Sequence, residues 1–389
     1  MSENLTAASS QWARRPDDER FLSLEALHEH TKARAENSAA EVMKHSQINV
    51  QGAEAGDHRA VMLDLADGEP ATLTHWSFSQ LASRAKVPAD FCRVTHPEIA
   101  ALALNYGLQV LPSRPGQEAM RDSSMLYYTE PNGSPAQVRA ITSPSYGRIY
   151  DHQVVEMVAE AAGDVWKVPG ARDWQTGENI EGYEETKEGT TLYASDRDCF
   201  LFLVNEETPV TIDRPDGGRE QQLTRGFFVS NSETGAARFR LTVFLYDFVC
   251  ENRIVWGAEN VRELGIRHTS GAPERFRVEA AAMLRKFAQD DPSREAELVQ
   301  RAMRAKLAMD DEGVAKWLRS QKFSARQASR AITRARAEEG KLETVWDAVQ
   351  GLTATARDLP HQDQRVQLEE AAGKLLSASS LRRFEYAAA

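Results

Sequence analysis

The sequence predicts an α+β fold with a central antiparallel sheet, flanking helices and an all-helical C-terminal region. Apolar side chains alternate along residues 239–245, which is typical of a β-strand with one buried face. The polar turn 231–235 separates this run from an earlier β-prone run, so the two predict a hairpin across residues 224–256. From residue 273 onward the apolar spacing is helical almost throughout.

The N-terminal third mixes helical and strand patterns. Residues 1–20 are polar, which predicts a mobile N-terminus. Residues 21–46 have helical spacing, and residues 47–73 predict short strands. Three further helices are expected to begin at Thr74, Pro88 and Pro97. We therefore expect a helical and mixed region over residues 21–122.

The predicted sheet domain occupies residues 123–272. Its first strands are expected at 125–128, 138–141, 192–193, 200–204 and 210–212. An amphipathic helix is predicted at 150–163, closed by Gly163. In the hairpin we expect Leu241, Val243 and Leu245 to be buried. The C-terminal region, 273–389, should form helices at 273–289, 292–308, 310–320, 324–338, 341–355 and 362–377.

The charge of the chain is uneven. Residues 1–272 carry 26 Lys and Arg against 40 Asp and Glu, whereas residues 273–389 carry 21 against 18. An acidic body disfavours non-specific nucleic-acid binding over the whole surface, so any such contact must be local or made by an assembled oligomer. Three widely spaced cysteines and the lack of a long apolar run predict a cytoplasmic protein with no membrane partner.

The familiar signatures of catalysis do not occur in the sequence. It has no Walker-type phosphate loop, no Gly-x-Gly-x-x-Gly, no Cys-x-x-Cys and no Gly-x-Ser-x-Gly. We therefore expect a non-catalytic protein with no cofactor and no metal. The alternative from the enzyme class is a metal-dependent activity that uses Asp196, Asp198 and Glu233.

The turn of the predicted hairpin is a possible polar site. Asn231, Ser232 and Glu233 make it more polar than a hairpin requires, so it could hold an ion, a phosphate or a partner. The simpler interpretation is a structural loop in which Gly235 provides a positive φ.

A basic stretch is the second candidate site. Between Gly313 and Arg336 the chain has seven Lys and Arg and no acid. The candidate nucleic-acid-binding residues are Lys316, Arg319, Lys322, Arg326, Arg330 and Arg334. A helix, a short break and a basic helix capped by Ser324 outline a helix-turn-helix. The simpler interpretation is two packing helices whose basic face pairs with the acidic body, because the break lacks the usual Gly.

Several separated segments resemble one family. They are residues 76–82 (WSFSQLA), 139–146 (RAITSPSY), 191–203 (TLYASDRDCFLFL), 226–252, 344–353 (TVWDAVQGLT) and 368–373 (LEEAAG). Together they resemble the phage- and plasmid-related proteins described as domain of unknown function 932, over roughly residues 70–377. The family usually continues Val-Cys with Thr-Asn-Gly, whereas this chain has Glu251, Asn252 and Arg253 there. The resemblance implies a mobile genetic element and no particular activity.

Two functions remain open at this point. The first is a non-catalytic protein of DNA metabolism that binds or anneals single-stranded DNA as a homo-oligomer. Its basis is an analogy of predicted element order with ring-forming strand-annealing proteins. The second is a protein–protein interaction factor of a mobile element that blocks a host defence or replication protein, a role that suits the acidic body.

Overall fold

The computed structural model describes residues 16–55, 58–64, 70–109, 121–129, 133–168, 190–215, 220–247, 252–255, 263–290, 293–359 and 362–385. Two sheets and the helices around them account for most of these residues. The larger sheet contains β1 (Arg20–Phe21), β8 (Trp166–Lys167), β9 (Leu192–Ala194), β10 (Cys199–Ile212), β11 (Gln221–Asn231), β12 (Phe239–Asp247), β13 (Asn252–Val255) and β14 (Glu263–Ile266).

The expected hairpin lies at the centre of the larger sheet. Its path is β1-β9-β10-β11-β12-β13, with β14 also paired to β12 and β8 to β10. In the antiparallel register of β11 and β12, Phe227 lies opposite Val243 and Val229 opposite Leu241. Leu241, Val243 and Leu245 are buried, as predicted.

Both faces of this sheet are covered, which corrects the expectation of a single buried face. On one face Phe227 and Val243 pack with α5 (Asp151–Ala162), α6 (Ala272–Arg275) and α7 (Ala281–Gln289). A π-helical turn, Phe276–Ala280, joins α6 to α7. On the other face Phe228 and Phe244 pack with Val366 of a C-terminal helix. The prediction of one buried face took only the alternating aliphatic residues into account. Aromatic residues such as Phe228 and Phe244 also occur in strands that are buried on both sides.

The smaller sheet has the strand order β2-β6-β7-β5-β4-β3. Its strands are β2 (Ser38–Lys44), β3 (Asn49–Ala55), β4 (His58–Asp64), β5 (Pro70–Leu73), β6 (Asp122–Tyr128) and β7 (Gln137–Thr142). Its core side packs on α2 (His75–Ala85), α3 (Ala89–Val94) and α4 (Pro97–Gln109). The cap at Thr74 is confirmed, and helices begin directly after Pro88 and at Pro97, as expected.

Two expectations for this half of the chain were wrong. The helical pattern of residues 21–46 ends early: α1 (Leu24–Glu36) is followed by β2, because residues 38–44 pair with β6. The expected boundary at residue 122 does not separate the sheets either. The strands β6 and β7 pair with strands of the N-terminal third, and β5 joins β7 in parallel register.

The C-terminal region is helical, as predicted. Its helices are α8 (Ser293–Arg304), α9 (Asp311–Ser320), α10 (Ala325–Glu338), α11 (Val345–Arg357), α12 (Gln362–Gly373) and α13 (Ala378–Glu385). They share an apolar core with β10–β12 that includes the fully buried Trp346. The α+β fold with a helical C-terminal region is thereby confirmed.

Some expectations fall on residues outside the described part of the chain. These are most of the N-terminal segment 1–20 and the family departure at Glu251. Of the first 20 residues, Asp17–Glu19 form a 3-10 turn and Arg20 begins β1. No described helix has the combination of length and apolar character needed to cross a membrane.

Candidate functional site

The polar turn after β11 is buried. Asn231, Ser232, Glu233 and Thr234 are each at most 2% exposed, although hairpin turns usually lie in solvent. The turn is buried because it lies where the larger sheet meets the smaller one. We call Arg34, Arg139, Asp151 and Glu233 the buried charge cluster, since their side chains meet beside this turn.

Glu233 pairs with Arg139 in this cluster. The distance from Glu233 Oε1 to Arg139 Nη1 is 2.6 Å, and Arg34 Nε lies 3.9 Å from the same oxygen. Glu233 Oε2 accepts a hydrogen bond from the backbone N–H of Asp151 at 3.1 Å. Although burial alone would raise it, the pKa of Glu233 is lowered, because the guanidinium groups of Arg139 and Arg34 favour the ionised carboxylate. Glu233 is therefore the ionised acid of the cluster.

Asp151, at the start of α5, is the second acid of the cluster, and its carboxyl lies farther from a guanidinium group than the carboxylate of Glu233 does. Its Oδ2 lies 3.6 Å from Arg34 Nη2, and its Oδ1 accepts a hydrogen bond from Asn231 Nδ2 at 2.7 Å. Burial, reinforced by the charge of Glu233, raises the pKa of Asp151 to about 8. The two acids therefore differ: Glu233 is ionised at neutral pH, and Asp151 is mostly protonated.

The turn also joins elements of the two sheets through its backbone carbonyls. The carbonyl of Thr234 accepts from Trp76 Nε1 at 3.1 Å and from Gln80 Nε2 at 2.8 Å, both on α2. The carbonyl of Ser232 accepts from the hydroxyl of Tyr146 at 2.8 Å, and Arg148 donates to the carbonyl of Glu233. These contacts attach the hairpin to α2 and to the segment 146–148. The polarity of the turn is explained by its side chains, because Asn231 Nδ2 donates to the carbonyl of Ile149, Ser232 Oγ donates to the carbonyl of Arg197, and Glu233 pairs with Arg139.

Replacing Gly235 by Val is expected to lower the free energy of unfolding by roughly 1 kcal/mol or more. Gly235 has a φ of +90°, and a Cβ there would lie 3.3 Å from Gln80 Nε2 and from Thr142 Cγ2. Chemical denaturation measures the change. Gly133→Val is the control, because Gly133 also has a positive φ but nothing within 4 Å of its Cβ position. Equal losses in the two variants would show that the packing around Gly235 contributes nothing beyond backbone strain.

The carboxylates proposed for a metal-dependent enzyme are not arranged as a metal site. Asp198 Oδ1 accepts from the hydroxyl of Ser195 at 2.7 Å, and Glu233 is paired with Arg139. Within the described residues, no three His, Cys, Asp or Glu side chains cluster as ligands of a metal ion. The structure thus does not bring Asp196, Asp198 and Glu233 together as a ligand set.

The basic stretch forms two helices with a tight turn between them. Helix α9 ends at Ser320, and α10 begins at Ala325 after the N-cap Ser324, whose hydroxyl accepts from the N–H of Gln327 at 3.2 Å. Between them Lys322 has a φ of +74°, the left-handed conformation that a Gly usually provides. The missing Gly therefore does not exclude a helix-turn-helix, because Lys322 adopts the required backbone conformation.

Most of the basic side chains project into solvent. Lys316, Arg319, Lys322, Arg326 and Arg330 are exposed, and no ion pair to another described residue is found for any of them. We call these five residues the basic face. Arg334 differs, since it pairs with Asp358 and lies 3.8 Å from Glu338. Both of these acids lie in the C-terminal region, so Arg334 pairs within that region, and no ion pair among the described residues joins the basic stretch to the acidic body.

Family comparison matches residues 174–378 to the domain of unknown function DUF932. This is more than half of the chain. The protein belongs to the DUF932 family. The match spans β9–β12, the buried turn, the basic face and α11, whereas Arg34, Arg139 and Asp151 of the buried charge cluster lie before it. No curated protein and no solved structure matches the chain.

Sequence reasoning missed three residues of the buried charge cluster in this DUF932 protein. Arg34, Arg139 and Asp151 lie far apart in the sequence and meet only in the fold. A signal was present for Arg139, because a charged residue in the apolar strand pattern of β7 requires a buried partner. No comparable signal marked Arg34 or Asp151, each of which lies in an ordinary helical pattern.

Proposed function

We propose that this protein binds DNA through the basic face of α9 and α10. The observation that carries the proposal is that five neighbouring cationic side chains are exposed and have no acidic partner among the described residues. Uncompensated Lys and Arg on one surface provide the electrostatic attraction that phosphate binding requires. The net charge of −11 for the whole chain restricts such binding to this local surface.

The geometry favours duplex DNA over single strands on this face. Single-strand binding generally uses exposed aromatic side chains on which bases stack. Here Phe323 is buried, and Trp317 packs edge-on against Phe384 with a centroid separation of 5.3 Å. A helix-turn-helix instead presents the exposed N-terminal part of its second helix to the major groove. Arg326 and Arg330 lie on this part of α10, one turn apart.

The two helices then have different roles in the proposal. Arg326 and Arg330 of α10 lie at the major groove, where they contact the phosphates along its edge, and the exposed hydroxyl side chains of Ser329 and Thr333 lie on the same side of the helix. Lys316 and Arg319 lie in the second half of α9, where they can contact the phosphates of the backbone. Single-strand annealing, and the rival function of blocking a host protein, remain predictions.

The test compares the wild type with the double variant Arg326→Gln/Arg330→Gln in a salt titration of duplex and single-stranded oligonucleotides of equal length. We expect the double variant to weaken duplex binding at low salt. The slope of log affinity against log salt should fall by about two, because each lost phosphate contact removes about 0.9. The control is Arg275→Gln/Arg277→Gln, which removes the same charge from exposed residues paired with Glu279 and Glu274.

The outcomes separate the alternatives. Equal affinities and slopes for the wild type and the double variant would refute the basic face as the binding surface. Tighter binding of single strands than of duplex by the wild type would refute the duplex assignment and favour annealing. Wild-type protein that binds neither form would refute DNA binding altogether and favour a protein partner. Matching thermal unfolding of the variants excludes misfolding as the cause of any loss.

A further inference from the structure

The surface of α3 and α4 exposes an unusual set of large apolar side chains. Phe91 and Val94 of α3 are exposed, as are Ile99, Leu102 and Tyr106 of α4, with exposed fractions between 45% and 76%. The last three are spaced i, i+3 and i+7, so they lie on one side of α4. The two helices contact each other. We call these five residues the α3–α4 apolar surface.

Helix α4 is apolar on its opposite side as well. Ala100, Ala101, Leu104 and Leu108 are buried against α2, β3 and β4. Glu98 is the single charged residue among the 13 residues of the helix. A helix that is apolar all round is normally buried all round, whereas a surface helix carries polar residues on its outer side. The outer side of α4 therefore has the composition of a covered surface.

The α3–α4 apolar surface is large enough for a specific interface. Its five side chains expose on the order of 600 Å² together, against about 800 Å² per partner in a standard interface. Exposed apolar patches of several hundred Å² on soluble proteins commonly mark interaction sites. A ring of flanking polar residues would supply the remaining area.

The net charge of α3 and α4 is small, so a partner of opposite charge is not needed. Asp90 and Arg93 of α3 pair with each other at 3.2 Å, which leaves Glu98 as the remaining charge on α3 and α4. A nearly neutral apolar surface is complementary to a copy of itself. In a two-fold symmetric contact the same patch meets itself, and no charge has to be matched.

The spacing on α4 also suits such a contact. Ile99 precedes Leu102 by three residues, and Tyr106 follows it by four. Two copies of α4 crossing in antiparallel fashion would place Leu102 near the two-fold axis. Ile99 of each copy would then contact Tyr106 of the other copy, because Ile99 and Tyr106 lie on opposite sides of Leu102, each about 5 Å from it along the helix axis.

We propose that the α3–α4 apolar surface is the interface of a two-fold symmetric homodimer of this chain, centred on Leu102. The proposal does not depend on the proposed DNA binding. The interface lies on helices that cover the smaller sheet, and the basic face lies on the C-terminal helices, so a dimer would carry two basic faces. In a DNA-binding protein such an arrangement provides two half-site contacts.

The test is the molar mass in solution, measured by light scattering and sedimentation over a range of concentrations. We expect the wild type to have twice the monomer mass and Leu102→Glu to be a monomer, because two carboxylates would face each other at the axis. The control is Val278→Glu, which places the same charge on a side chain that is also mostly exposed but lies in the π-helical turn. The control should remain a dimer.

A charge-pair rescue distinguishes a symmetric dimer from any other assembly. Leu102→Glu and Leu102→Lys should each be monomeric alone, and an equimolar mixture should restore the dimer mass, since opposite charges then meet at the axis. The proposal is overturned by a wild type that is monomeric at every concentration. It is also overturned by a Leu102→Glu variant that stays dimeric, or by a mixture that shows no gain over the separate variants.

Discussion

Replacing Glu233 by Gln is expected to lower the free energy of unfolding by about 3–5 kcal/mol. The change keeps the shape of the side chain and removes its charge. Arg139, only 2% exposed, then loses the carboxylate that lies 2.6 Å from it and keeps only the weaker influence of Asp151. Burial already lowers the pKa of Arg139, so its charged form depends on Glu233. Denaturant unfolding at neutral pH measures the loss.

The matched control is Asp151→Asn, which also converts a carboxyl of the same cluster to its amide. Asp151 has a pKa of about 8 and is mostly protonated at neutral pH, so the amide resembles the group that is already present. Its oxygen can still accept from Asn231 Nδ2. We expect Asp151→Asn to be at least as stable as the wild type at pH 7, because the wild type must there keep protonated a carboxyl that the unfolded chain ionises. A loss as large as that of Glu233→Gln would contradict the assignment of different protonation states to the two acids.

The same pair of variants should differ in their response to pH. The pKa of Asp151 is raised from 3.8 to about 8, so between these values the folded protein binds a proton that the unfolded chain has released. Its contribution to stability is full below pH 3.8 and is lost as the pH rises through about 8. The pKa of Glu233 is lowered, so its contribution is present at neutral pH and is lost on acidification.

Asp151→Asn should therefore remove a decline in stability between pH 4 and pH 8, measured as the difference in the free energy of unfolding from the wild type. An unchanged pH profile would refute the raised pKa.

Replacing Gly351 by Val is expected to cost about 3 kcal/mol of the free energy of unfolding. Gly351 lies in α11 where that helix crosses α10. A Cβ at this position would lie 2.1 Å from the carbonyl oxygen of Ala331 and 2.9 Å from the Cβ of Ala335. The first of these contacts is with backbone, which cannot move aside as a side chain can. The two helices would therefore have to separate.

The control for this change is Gly271→Val, because a Cβ at Gly271 has nothing within 4 Å and the residue has a φ of −86°. Thermal and denaturant unfolding of both variants provide the comparison. Since α10 carries Arg326 and Arg330, any Gly351→Val protein that folds should also show weaker DNA binding. A Gly351→Val variant as stable as Gly271→Val would show that α10 and α11 can separate without cost.

Local rules placed most elements of the DUF932 chain correctly. Thr74 and Ser324 accept hydrogen bonds from the N–H groups of Ser77 and Gln327, as helix caps do. Gly163, with a φ of +75°, ends α5 where it was expected to. The exposed side of α10 follows from the spacing of Arg326 and Arg330. Each of these features depends on residues within one or two turns of each other, so the sequence alone determined them.

Pairing over long distances decided the rest. Residues 38–44 carry a pattern that suits a helix, and they form a strand because β6, which begins only at Asp122, offers them a partner. The turn at Asn231 is polar, and it is buried because Arg139, Asp151 and α2 surround it. A buried carboxylate is stable only beside a cation, and the sequence does not show which of the 47 Lys and Arg will be that cation. Composition and spacing thus determined the helices, the hairpin and the basic face. Only the tertiary structure decided which charges meet in the interior and which apolar side chains remain on the surface, because both depend on contacts between residues distant in the chain.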